Sequence, residues 1–119
     1  MTTQSPTRPE SRVEPTYLSA TEIFPLLAEQ RRRLVLHYLS RRVGSVRLAD
    51  LAEQVARWEG SPTDDNVERV RTNLYHNHLP RLVDWGLIRV DPERGTVVGL
   101  ASLRWVKPYL TLALADDVR

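Results

Sequence analysis

The strongest constraint on how this chain can fold is a single glycine. Gly86 separates a helix-prone stretch, about Asp65 to Trp85, from two β-prone runs, Leu87-Ile-Arg-Val90 and Thr96-Val-Val-Gly-Leu100. A chain that leaves a helix and enters a strand within one residue needs a backbone conformation that glycine adopts at little cost. Leu87 and Ile88 follow at once, so the turn must carry large apolar side chains straight back into a core. The two runs are joined by Asp91-Pro-Glu-Arg-Gly95, where Pro92 and Gly95 predict a tight hairpin turn.

Helix signals precede this turn. Ser19-Ala-Thr-Glu22 fits a capping box, with Leu18 placed as its hydrophobic staple. Ile23, Leu26 and Leu27 share one face, and Pro25 keeps this first helix short. A second helix spans about Glu29 to Arg42, with Leu34, Val35, Tyr38 and Leu39 as its buried stripe and Arg31, Arg32, Arg33, Arg41 and Arg42 mostly elsewhere. Gly44 stops it. Ser45-Val-Arg-Leu48 is short and β-prone, and Ala49 to Trp58 forms a third helix with Leu51, Ala52, Val55 and Trp58 inward. Thr63 or Asp64 is placed to cap the fourth helix, which Pro80 interrupts. A last helix, about Ser102 to Ala115, carries Leu103, Val106, Leu110 and Leu114, with Pro108 as a kink. Residues 1–18 hold Pro6, Pro9 and Pro15, charges that cancel, and no apolar period, the composition of a disordered tail.

At 119 residues the chain is one domain's worth. Its order is helix, helix, short strand, helix, helix, strand, turn, strand, helix. That order predicts a mostly helical α+β domain of the winged helix-turn-helix type over residues 19–101, with a two-stranded wing and an added C-terminal helix at 102–119. A small α+β domain of other connectivity is the alternative. Leu74-Tyr-His-Asn-His-Leu-Pro-Arg-Leu-Val-Asp-Trp-Gly-Leu-Ile88 resembles the recognition-helix-to-wing segment of arsenic-repressor-like winged helices, with their His-Leu pair, a leucine three residues on and a closing Gly-Leu-Val/Ile. It is more closely similar to an uncharacterised winged-helix family common in halophilic archaea. That family shows a Leu-Tyr-His-x-His-Leu-Pro-x-Leu motif, an Arg-Arg-Arg helix and a Leu-Ala-x-x-Val/Ile helix; here the last two are Arg31-Arg-Arg33 and Leu51-Ala-Glu-Gln-Val55. The resemblance covers about residues 19–100 and implies a winged-helix fold, an archaeal setting and a role in transcription.

At about 100° per residue, Val67, Val70, Leu74, Tyr75, His78 and Leu82 fall on one side of the fourth helix. Asn66, Arg69, Asn73, His76 and Asn77 fall on or near the other, with Thr72 at the edge. The polar side offers groups that read base edges: Arg69 toward guanine O6 and N7, Asn73 or Asn77 toward adenine. Arg69, Thr72, Asn73, His76 and Asn77, together with Arg47 and the wing's Arg94, are the candidate contacts with double-stranded DNA. A solvated polar face that touches nothing is the other meaning of the same residues.

Charge is a weak guide. The chain carries 17 basic and 15 acidic residues, a net charge of +2, and Lys107 is its one lysine. Arginine's planar fork suits phosphate and guanine, although GC-rich coding produces the same bias. Residues 59–86 hold three arginines against five acids, a balance of −2, whereas residues 19–58 hold seven basic against four acidic, a balance of +3. Phosphate contacts therefore fall to Arg31, Arg32, Arg33, Arg41, Arg42, Arg47 and Arg94, with helix amides adding to them. A solvated helix face is the alternative for Arg31–Arg33. In a halophile's molar salt the Debye length is about 3 Å, so short hydrogen bonds and a dimer's doubled contacts outweigh a broad basic field.

Other chemistry is sparse. The absence of cysteine removes disulfides, thiolate catalysis and cysteine-ligated metals. His76 and His78 stand about 200° apart on a helix and cannot share a metal, so His78 reads as a core or interhelix histidine. No nucleophile–base pair, phosphate-cradling glycine loop or carboxylate pair stands out, and neither an enzyme nor a cofactor is expected. No apolar run approaches the roughly 18 residues of a spanning helix, and the first residues lack the apolar segment of a secretory signal, which predicts a cytoplasmic protein. The rival functional class is a protein-interaction adaptor of the transcription machinery, in which the negative 59–86 segment faces a protein. Trp105, Tyr109, Leu110, Leu112 and Leu114 give the last helix apolar residues on more than one side. They predict either a homodimer interface or a helix folded back across its own domain.

Overall fold

Ser19 opens the first helix, its N–H donating to the Glu22 carboxylate at 3.0 Å, and Leu18 just before it is buried. The computed structural model describes residues 18–115, so the tail expected at the N-terminus lies outside the described residues except for Leu18, which belongs to the core. The elements are α1 (Ala20–Leu26), α2 (Gln30–Ser40), β1 (Val46–Arg47), α3 (Leu48–Trp58), α4 (Asp64–Asn73), a π-helical turn (Leu74–His78), α5 (Leu79–Asp84), β2 (Ile88–Asp91), β3 (Thr96–Gly99) and α6 (Leu103–Ala113). This is a mostly helical α+β domain with the winged helix-turn-helix layout. Helices α3 and α4 pack against each other, and α2 packs on α3 and α6. Leu34, Leu36, Leu51, Val55, Leu74, Leu82 and Leu87 meet in one core.

The turn at Gly86 follows from local physics. Gly86 has φ 75°, its N–H donates to Val83 and the Leu87 N–H donates to Leu82. This pair of bonds is a Schellman motif, which satisfies carbonyls the helix end leaves open. Leu82 and Leu87, the residues such a motif brings together, are both fully buried. The Ser102 hydroxyl donates to the Gly86 carbonyl and ties the start of α6 to the same corner. In the hairpin, the Asp91 side chain accepts from the N–H groups of Glu93 and Arg94 at 3.1 and 3.2 Å. Gly95 closes the loop at φ 67°, its N–H donating to the Asp91 carbonyl. β2 and β3 pair antiparallel from Ile88 opposite Gly99 to Asp91 opposite Thr96.

The structure extends one expectation from the sequence and changes another. The two-stranded wing is the β2–β3 hairpin, and β1 extends its sheet by a third strand, with Val46 opposite Val97 and Arg47 opposite Thr96, giving the order β1-β3-β2. The long fourth helix is not a uniform α-helix broken at Pro80. The Leu79 N–H donates to Leu74 five residues back, the closure of a π turn. Proline lacks an N–H and crowds the carbonyl four residues before it, and the wider turn relieves both. The change of phase turns Tyr75 outward, to 39% exposed, and buries Leu79, which an uninterrupted helix leaves off the inner face. Finally, α6 folds back on its own domain, burying Leu103, Val106, Leu110 and Leu114.

Candidate nucleic-acid interface

Thr63 accepts the Asn66 N–H at 3.2 Å and starts α4, and the outer face of α4 and the π turn that follows presents Arg69, Thr72, His76 and Asn77 together in the open. These four share a shallow depression with Asp65, Glu68 and Asn73. Thr72 and His76 also form one wall of a groove whose other wall is the wing, at Pro92, Gly95 and Thr96. Arg47 and Arg94 are exposed at that wing, brought near each other because Arg47 pairs with Thr96 in the sheet. Each lies beside an acid of its own turn: Arg47 Nε is 3.3 Å from Asp50 Oδ2, and Arg94 Nε is 3.8 Å from Asp91 Oδ2. Such exposed pairs are worth little and exchange partners readily. Arg69 has no ion-pair partner among the described residues.

Asn73 is set apart from its neighbours. It is half-buried, and its Oδ1 accepts from Arg31 Nη1 at 2.9 Å. Arg31 in turn holds Glu59 with both prongs of its fork, Nε to Oε2 at 2.7 Å and Nη2 to Oε1 at 2.9 Å. The Glu59 hydrogen bond raises the Arg31 pKa further, against the opposing effect of burial. This three-residue network joins α2, the end of α3 and α4, and it engages the acceptor that Asn73 would turn to adenine.

The arginine triplet is a packing device as well. Arg32 is buried and donates from Nε to the Leu26 carbonyl at 2.9 Å and from Nη2 to the Pro25 carbonyl at 3.1 Å. Arg33 donates to the Leu27 carbonyl at 2.7 Å. Together they satisfy the open carbonyls at the end of α1, a helix with no basic residue in its own last turn. The expectation that Arg31–Arg33 face phosphate is therefore corrected: their guanidinium groups point into the protein. Arg41 and Arg42 stay exposed, the latter stacked 4.3 Å above the Tyr38 ring.

His76 and His78 stand on opposite sides of the π turn, His76 exposed and His78 buried. Among the described residues no group of three or more His, Asp or Glu is arranged to hold a metal ion. Burial pushes the His78 pKa below that of an ordinary imidazole; Arg32, Arg31 and Arg81 push the same way, while Glu29 opposes them. The unfolded chain, with a pKa of about 6.5, therefore takes up this proton before the folded one does. The corresponding stability is complete above about pH 6.5 and is lost as pH falls toward the folded value. Urea midpoints measured across this range should fall with acidification, and His78→Gln should flatten that slope. Part of the slope should persist in the variant, because burial and Arg41 lower the His37 pKa in the same sense.

Two features of this region escaped sequence reasoning: Glu59 as the partner of Arg31, and Arg81 beside His78 at a polar cleft. Glu59 reads locally as the edge of a loop, and nothing near it in sequence signals a partner on another helix. Among the described residues no helix is long and apolar enough to cross a membrane. No curated protein and no solved structure matches the chain. One family model does, over residues 24–98. That segment runs from within α1 to β3, and so holds the helix-turn-helix pair, the π turn and the sheet while leaving α6 outside. On that match the chain belongs to the family described as a domain of unknown function, DUF7344.

Proposed function

We propose that this protein is a winged-helix transcriptional regulator that binds double-stranded DNA in the cytoplasm, without enzymatic activity of its own. The observation that carries this is the grouping of Arg69 and Thr72 of α4 with His76 and Asn77 of the π turn on one open face, flanked by a wing that bears Arg47 and Arg94. A helix of this kind enters the major groove and offers its donors and acceptors to base edges, while the wing arginines fix register on phosphates. Arg69 is the best placed to address a guanine, and Asn77 replaces Asn73 as the amide free to address an adenine.

Few phosphates are contacted in this scheme, since Arg31–Arg33 are turned inward. With Arg41, Arg42, Arg47 and Arg94 as the phosphate contacts, log K should fall with log salt at a slope of about −4, shallower than for proteins with broad basic faces. Selection from a random DNA pool followed by fluorescence anisotropy tests this. A preferred sequence should emerge, and Arg69→Ala should weaken it by about 1–3 kcal/mol with the fold intact. Failure of the wild type to prefer any sequence sinks the proposal. It would favour the adaptor class, for which the specific observation is the apolar depression between Tyr75, Pro80, Val83 and Pro92 beside the same helix.

A homodimer is part of the proposal. Once Leu103, Val106, Leu110 and Leu114 are spent on the chain's own core, α6 still carries a second stripe, Trp105, Tyr109 and Leu112, at helical spacing. Leu112 is 79% exposed, and Phe24 from α1, 62% exposed, meets the Tyr109 ring edge-on at 6.0 Å. Two copies paired through this stripe cover it symmetrically. Light scattering should return twice the 13.7 kDa chain mass at tens of micromolar, and Leu112→Glu should return the monomer. A wild type that scatters as a monomer removes the dimer and leaves the DNA proposal to its own test.

A further inference from the structure

We propose that the cleft between the start of α2 and the π turn–α5 segment binds a small oxyanion, a free molecule bearing a carboxylate or phosphate, with His78 and Arg81 as its direct contacts. The cleft holds about 910 Å³, and its lining is predominantly polar. That volume suits a small metabolite, since ligand sites run to roughly 300–1,000 Å³.

Two independent observations point to an anion. First, α2 is an eleven-residue helix whose N-cap, Glu29, makes no side-chain capping bond. Gln30, Arg31 and Arg32 of its first turn line the cleft, and at this end of a helix the aligned peptide dipoles favour negative charge. Second, His78 is 95% buried, its Nδ1 has no hydrogen-bond partner, and the residue lines the cleft. A buried polar nitrogen left unpaired is destabilising, and an oxyanion supplies an acceptor for an imidazole N–H in this cleft. Arg81 lies three residues on, exposed at the same cleft, with no ion-pair partner among the described residues.

The charge inventory allows it. Glu59 is already closed off by the forked contact with Arg31. That leaves Glu29 against Arg32 and Arg81, a balance of +1 with His78 neutral. The side-chain amides of Asn73 and Asn77 complete the wall and supply neutral donors for the rest of a polar ligand. Asn77 also belongs to the exposed face shared by α4 and the π turn, so an occupant would touch the edge of that face. The site does not depend on DNA binding, and its test contains no DNA.

The full chain, labelled with ¹⁵N, is titrated with sodium phosphate and separately with sodium succinate at pH 7.5, with sodium chloride holding ionic strength constant. The expected result is a saturable shift of the His78 ring nitrogens and the Arg81 Nε. Arg81→Ala should weaken this binding by at least about tenfold, the effect of losing one charged hydrogen bond. Because Arg81 is exposed, that variant should keep its backbone spectrum. His78→Gln should weaken binding with Arg81 still in place. Saturation by phosphate alone assigns a phosphorylated ligand, by succinate alone a carboxylate, and by both the shared oxyanion chemistry. Shifts that rise linearly with either salt and match those in chloride overturn the proposal. So does saturable binding that is unchanged in Arg81→Ala.

Discussion

Arg32→Ala should lower the unfolding free energy by about 2–3 kcal/mol, more than any other single arginine replacement in α2. Arg32 is 8% exposed and makes two charge-assisted bonds to the last-turn carbonyls of α1, with its guanidinium 5.9 Å above the Trp85 ring. Removing it takes the side-chain donors from both carbonyls, leaving Pro25 with the Ala28 N–H alone, and withdraws the aliphatic stem from beside Trp85. Burial lowers the pKa of this guanidinium, Glu29 opposing the shift and Arg81 adding to it. Lysine should not rescue it, because a single ammonium cannot reach two carbonyls in the forked geometry. Urea denaturation decides the matter, with Arg41→Ala, an exposed residue at the end of the same helix, as the control expected within about 0.5 kcal/mol of wild type. If Arg32→Ala matched that control, the triplet's assignment to packing would fail.

The second large effect separates two neighbours on one helix. Leu79→Ala should cost about 3 kcal/mol, and Tyr75→Ala less than about 1 kcal/mol. Leu79 is 1% exposed and Tyr75 39% exposed. An uninterrupted α-helix predicts the reverse ranking, since Leu79 lies about 140° from Leu74 on such a helix while Tyr75 lies closer. The π turn, closed by the Leu79 N–H on Leu74, brings Leu74 and Leu79 onto the same side and rotates Tyr75 out. Equilibrium unfolding of the two variants thus measures the phase of the helix. Equal costs, or a larger cost at Tyr75, would mean that the helix runs through this segment without the extra residue.

Features set by neighbouring residues are legible in the amino-acid sequence. The Ser19–Glu22 start, the Thr63 cap, the Gly86 stop and the Asp91–Gly95 turn each stand where local chemistry places them. Each is decided within five residues, by a backbone angle or one short-range hydrogen bond. The exposed positions of Arg69, Thr72, His76 and Asn77 are legible for the same reason, as helical period alone assigns them. Asn73 is not. Its partner Arg31 lies 42 residues away, and Glu59 lies 28 residues from Arg31. No local pattern distinguishes an arginine that will meet a carboxylate on another helix from one that will face solvent.

The same distinction covers the whole molecule. Element order, the sharp turn at Gly86 and the polar face of the long helix are written in the order of residues, because capping, glycine angles and apolar period act between near neighbours. Long-range packing is what turns the arginine triplet inward, joins β1 to the wing and lays α6 over its own core. Those outcomes depend on which distant groups arrive at the same place, where desolvation makes an unpaired carbonyl, carboxylate or leucine more costly than any local preference can offset. Gly86 makes the turn; the core into which it delivers Leu87 and Ile88 is what holds the helix and wing together.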